Sequence, residues 1–116
     1  MSSSIVIDPF SQESADGTLA GTTEVTIISA PASGVRRIVR SIVIHNRNNA
    51  DVLLTVAVKN GVNNRIIFSA TLETGDTFEF GDSDELFLNS TSKSVIAYLS
   101  AIPTTNPDFM SSWSDA

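Results

Sequence analysis

Six carboxylates fall close together near the middle of this chain: Glu73, Asp76, Glu79, Asp82, Asp84 and Glu85. Oxygen-rich turns are what calcium takes, and Asp82-Ser83-Asp84-Glu85 has the right ligand type. The spacing of an EF-hand loop fails, because Leu86 stands where the third ligand belongs. The same run reads more simply as the solvated rim of a loop. Two carboxylates also suffice for glycoside hydrolysis, but the spacing fixes no separation between them and so short a chain offers little cleft. His45 is the one histidine, so any Ser-His-Asp relay has to use it. Gly81-Asp82-Ser83-Asp84 begins like a nucleophile elbow, yet Glu85 replaces the second glycine and no strand-to-helix turn surrounds the serine. His45 therefore reads as a surface or strand-pairing residue. With one histidine and no cysteine the sequence predicts no transition-metal centre, no disulfide and no thiol nucleophile. Neither a dinucleotide fingerprint nor a P-loop occurs. Asn89-Ser90-Thr91 fits a glycosylation sequon but reads as a turn. The expectation is a non-enzymatic protein with no cofactor, no metal and no small-molecule substrate.

The elements that hold these residues are strands. Apolar residues alternate with a period of two, in segments rich in Val, Ile, Thr and Phe. The pattern predicts strands at 23–29, 36–47, 51–59, 65–72, 77–80, 85–89 and 93–101. Turn signals separate them, among them Pro31-Ala32-Ser33-Gly34, Asn60-Gly61 and Glu73-Thr74-Gly75-Asp76. Most of the Val, Ile, Leu and Phe residues lie between Val25 and Ile102. That divides the chain into an N-terminal arm (1–22), a body (23–102) and a C-terminal tail (103–116). The fold class expected is all-β: a single antiparallel sandwich or jelly-roll-like domain of about seven to eight strands with extended ends. A three-residue loop at Lys59-Asn60-Gly61 pairs Val58 with Val62, Leu54 with Ile66 and Val52 with Phe68. It is expected because that register gathers the apolar side chains on one face.

At 116 residues the chain is one domain that can bury a core without staples. Seven basic residues against thirteen acidic give a net charge of −6, which argues against a phosphate-backbone binder. No apolar run approaches the ~18 residues of a membrane span, and the first residues lack the features of a secretory signal. The expectation is a protein made in a cytoplasm that contacts neither nucleic acid nor membrane.

What remains is contact with other proteins. The long strand from Gly34 to Asn46 is apolar on both faces. Ile38, Ile42 and Ile44 share one face and read as core. Val39 and Val43 share the other and, edged by Arg37 and Arg47, read as a contact surface. Weaker second sets recur: Leu53 and Ala57, Ile67, and Ile96 and Tyr98. Such a set needs cover from an arm or another subunit. Ile5-Val6-Ile7, stopped by Pro9, reads as a short segment able to add to the edge of another sheet. Trp113, alone of its kind in a polar tail, reads as an anchor.

Four segments follow one order: Ala30-Pro31-Ala32-Ser33-Gly34, Arg37 to Asn46, Leu72-Glu73-Thr74-Gly75-Asp76-Thr77, and Leu86-Phe87-Leu88. Together they span about residues 23–101. The order resembles small all-β accessory proteins of tailed bacteriophage virions. The matching residues are turn and core positions, so they speak to fold more than to role. The resemblance implies a sandwich that decorates or joins larger assemblies. It implies first a capsid decoration (cement) protein on the virion surface, made in the host cytoplasm. Its partners would be the major capsid protein or other virion proteins and its own copies, with a trimer suited to local three-fold sites. A tail, baseplate or head-fibre component is the second role. Apart from the resemblance, a carbohydrate-binding sandwich is a third reading, which wants exposed aromatics where the body offers only Tyr98 and four phenylalanines. The arm and tail fall outside the resemblance.

Overall fold

The computed structural model describes residues 11–81 and 86–116. Nine strands form there: β1 (Ser11–Thr18), β2 (Val25–Ile28), β3 (Arg37–His45), β4 (Val52–Asn60), β5 (Asn63–Leu72), β6 (Thr77–Phe80), β7 (Phe87–Leu88), β8 (Lys93–Leu99) and β9 (Asp108–Asp115). They form two antiparallel sheets. One runs β1-β9-β3-β6, with β7 on the remaining length of β3; the other runs β2-β8-β4-β5. The inner faces meet around Leu19, Ile28, Ile42, Ile44, Leu54, Val56, Leu88, Val95 and Leu99, all almost fully buried. Each such side chain contributes roughly 1.5–3 kcal/mol by leaving water.

All seven strands expected from the sequence are present. The chain ends differ. Segments read as arm and tail each supply a strand, and β9 is an interior strand paired along its length with β1 and β3. Phe109, Ser111 and Trp113 alternate inward on it. The Ser111 hydroxyl donates to the Ile27 carbonyl at 2.8 Å and ties the two sheets together. The Phe109 ring lies against Gly17, where a Cβ would stand 2.8 Å from Cε2, so β1 carries glycine opposite it. Polar composition hid both strands. Serines replace the usual β-branched residues, and hydrogen bonding does what apolar burial does elsewhere.

A bulge rearranges the faces of β3. The pairing with β9 shifts between Val39 and Ser41, leaving Arg40 as the extra residue. Beyond a bulge the alternation is displaced by one. Val39 therefore joins Ile42 and Ile44 in the core, whereas Ile38 stays partly exposed. This corrects the expectation that grouped Val39 with Val43 and Ile38 with Ile42.

A second bulge does the same in the β4–β5 hairpin. The expected three-residue loop is not formed. Asn60 pairs with Asn63 across a two-residue turn, Gly61-Val62, with Gly61 at φ 64°. Glycine at the first central position suits a type II′ turn. That register alone would bring Ile67 opposite Val56. Instead the pairing slips by one at Ile67, so Phe68 meets Val56, Ala70 meets Leu54 and Leu72 meets Val52. The burial that the longer loop was meant to achieve is delivered by the bulge. The rings of Phe68 and Phe78, 4.4 Å apart, close the sandwich on this side. Ile66 and Val62 are left outside, 59% and 93% exposed.

Candidate functional site

The positions where this protein can meet another are the outer faces of its two sheets. On the β1-β9-β3-β6 face, β3 presents Ser41, Val43 and His45, opposite Ser112, Met110 and Asp108 of β9. Val43 and Met110 lie side by side, Met110 well exposed. Hydroxyls surround them: Ser41 and Ser112 are hydrogen-bonded at 2.7 Å, and the bulge residue Arg40 donates from Nε to Ser114 Oγ at 3.1 Å. Ser14, Asp16, Val43 and Met110 line a shallow groove there. His45 Nδ1 is 2.9 Å from Thr77 Oγ1 of β6. Four residues of strand separate His45 from Ser41, about 13 Å, so the two cannot share a proton. Further along, Arg36 lies over the exposed Phe87 ring at 5.2 Å. This is a mixed, wettable surface with a small apolar centre.

Two of the expected contact arginines are engaged within the chain. Arg37 holds Asp115 through two parallel hydrogen bonds, Nε to Oδ1 at 2.8 Å and Nη2 to Oδ2 at 3.0 Å. It also donates to the Ser29 carbonyl and hydroxyl at 2.9 Å and covers the Trp113 ring at 5.1 Å. A forked pair of this kind fixes geometry as well as adding energy. Arg37 thus seals one end of the core. Trp113 lies beneath it, 8% exposed, as a core residue of β9 and not a surface anchor. Its Nε1 has no hydrogen-bond partner among the described residues. Arg47 donates to the Asn106 carbonyl at 2.9 Å and stands 3.4 Å from Asp108. Val39 is buried; of the body residues expected at a contact, Val43 keeps an outward position free of such ties. Ile5, Val6 and Ile7 lie outside the described residues. So do Asp82, Asp84 and Glu85 of the acidic run. Glu73 and Asp76 close their own turn, with the Glu73 N–H donating to Asp76 Oδ2 at 3.1 Å. Among the described residues no three His, Cys, Asp or Glu side chains converge as metal ligands would.

The outer face of the β2-β8-β4-β5 sheet has a different character. Outward positions carry Leu53, Thr55, Ala57 and Lys59 on β4, Ile66, Ser69 and Thr71 on β5, and Ile96 and Tyr98 on β8. Ala57 and Ile96 are buried although they stand apart from the central core. Leu53, Ile66 and the bulge residue Ile67 remain 42%, 59% and 40% exposed. Lys59 is the one charged side chain among these outward positions. It is neutralised by Glu24 at 2.7 Å. Glu24 also accepts from Asn64 at 2.8 Å, and these two hydrogen bonds, Lys59 first, hold its pKa below the ordinary carboxylate value. The second apolar sets read from alternation point here. Their signal was sound for Leu53, Ala57, Ile67, Ile96 and Tyr98; Ile66 was missed because the bulge changes its face.

No protein-family model matches the chain, and no curated protein matches it in sequence. Solved structures are similar to it at low identity. One belongs to the disulfide-linked pili of Bacillus endospore appendages, with a TM-score of 0.52 at 16% identity, covering 90% of this chain and 84% of that one. PirA gives 0.50 at 14% identity, covering 87% and 92%. The coat protein of Tobacco streak virus gives 0.46 at 9% identity, covering 97% and 90%.

Proposed function

We propose that this chain is a non-enzymatic structural protein of a tailed-phage virion, acting as a decoration (cement) protein on the outer capsid shell. The observation that carries the reading is the pair of outer faces. Both sheets offer exposed apolar side chains on the outside of the sandwich, Met110 beside the half-buried Val43 on one and Leu53, Ile66 and Ile67 on the other. A domain with two such faces suits a place between neighbours in an assembly, where each is covered. The sequence resemblance of residues 23–101 to accessory virion proteins supports the same reading. So does the sandwich fold, which a pilus protein also uses, although a shared fold does not by itself carry function. The absence of cysteine means that any assembly of this chain is held without disulfides.

In this reading the mixed face around Val43 and Met110 meets the coat subunits. Its hydroxyls and bridging water match a polar surface, while Ile5-Val6-Ile7 adds to a sheet edge of a coat subunit or of a neighbouring copy. Arg37 and Arg47 shape this region by fixing β9, not by pairing with a partner. The flat outline, 48 × 37 × 22 Å, also suits a tail or head-fibre joint, which is the second reading. Mixing the purified full chain with separated heads and tails distinguishes them. Co-sedimentation with heads, weakened about tenfold or more by Met110→Lys, is the expected result. Binding to tails alone would replace the shell reading with the second one.

A further inference from the structure

We infer that two copies of this chain meet back to back through the outer face of the β2-β8-β4-β5 sheet, with Ile66, Ile67 and Leu53 at the centre of the contact. The inference rests on the assembly role proposed above and names the surface that joins one copy to the next.

Charge selects the partner. The chain carries a net charge of −6, so copies repel one another unless they meet where charge is absent. The β1-β9-β3-β6 face does not qualify, because Asp16 and Glu79 lie along its outward positions, in addition to the Asp108 that faces Arg47. The opposite face does. Its one outward charge, Lys59, is already neutralised by Glu24 of the same chain. Beyond that ion pair and the Asn64 amide that joins it, the face is aliphatic, hydroxylated or phenolic, close to the composition of an interface core, where charges are depleted. A surface without net charge offers little to an acidic or basic partner, whereas it complements another copy of itself. A two-fold contact is self-complementary by construction.

Extent and edge agree. β4 and β5 are nine and ten residues long, which gives the face a length of about 30 Å. That is the scale on which the roughly 800 Å² per partner of a stable contact is reached. β5 is also the outermost strand of its sheet, with Arg65 as its single charge and no proline. Proteins normally guard such an edge with charge or proline, or cover it. The other edge of the sheet, β2, has four residues. A second copy lying over β4 and β5 covers Ile66 and Ile67 and shields the long edge beside them.

The test is sedimentation velocity of the full chain across protein concentration, at low and high salt. The expected result is a reversible dimer that high salt leaves intact or tightens, since screening weakens the repulsion and no ion pair is lost. Ile66→Lys, at a position exposed enough to spare the fold, is expected to weaken dimerisation about 30-fold or more. Met110→Lys on the other face is expected to leave it unchanged, with circular dichroism confirming that both variants fold. A strict monomer at every concentration overturns the inference, as does a dimer broken by Met110→Lys and untouched by Ile66→Lys. A monomer that becomes a dimer when residues 1–10 are removed assigns the face to the chain's own N-terminus and likewise overturns it. A monomer that still co-sediments with heads refutes this contact and leaves the decoration role standing.

Discussion

A chain shortened to end at Pro107 does not fold. β9 lies between β1 and β3 and supplies backbone partners to both, so its removal leaves β1 without a neighbour and β3 with an open edge. It also takes Phe109 and Trp113 from the core and the Ser111 tie to Ile27 from between the sheets. The loss exceeds the roughly 5–15 kcal/mol by which domains of this size are stable. Trp113→Ala is the graded version. It empties a large inner site and frees Arg37 from the ring it covers, at a cost of about 3–5 kcal/mol. Far-UV circular dichroism and urea melts measure both. A shortened chain that melts like the full one would return these residues to the status of a tail.

Asn46→Ala lowers stability by about 2–4 kcal/mol, more than most substitutions of a polar residue. Asn46 is fully buried at the end of β3. Its amide nitrogen donates to the Leu72 carbonyl at 2.9 Å and the Ala50 carbonyl at 3.1 Å, and its side-chain oxygen accepts from the Asn48 N–H at 2.9 Å. Its backbone completes the knot, donating to the Asp76 carbonyl and accepting from the Gly75 N–H. One residue thus joins the turn after β3 to the end of β5 through its side chain and to the turn before β6 through its backbone. Alanine leaves the Leu72 carbonyl and Asn48 N–H unpaired inside the protein, and each orphan costs about 1–3 kcal/mol. Asn46→Asp is worse, because a carboxylate faces two carbonyl oxygens. The midpoint of urea unfolding reads both, and a shift within error for Asn46→Ala would show that water replaces the amide freely.

What the sequence made legible follows from how its signals arise. Strong alternation in Val, Ile and Leu marks half-buried strands, and all seven strands written in those residues were placed correctly. β9 carries its signal in Phe109, Ser111 and Trp113, where a serine hydrogen bond interrupts the apolar rhythm, and β1 in Ser, Glu, Asp and Gly carries none. Both strands exist because a neighbour recruits them, which is a long-range fact. The two bulges, at Arg40 and Ile67, are single-residue slips with no composition of their own. Their effect on the site is large. They turn Val39 inward, set Ile66 outward and make the hairpin loop one residue shorter than face-matching alone requires. Alternation therefore predicts that two apolar faces exist, while the bulges decide which residues occupy each. The arginines illustrate the converse. Arg37 and Arg47 read as the edges of a contact surface, but Asp115 and Asp108, distant in sequence, are their partners.

As a decoration protein, this sandwich would stand on a capsid shell with both outer faces covered. Cryo-electron microscopy of intact particles that incorporate the chain tests it most directly. The expected result is sandwich-shaped density on the outside of the shell, with the Val43–Met110 face toward the coat and the Ile66 face against a second copy. Density confined to the tail or fibres, or the Ile66 face bare to solvent on the shell, would contradict it.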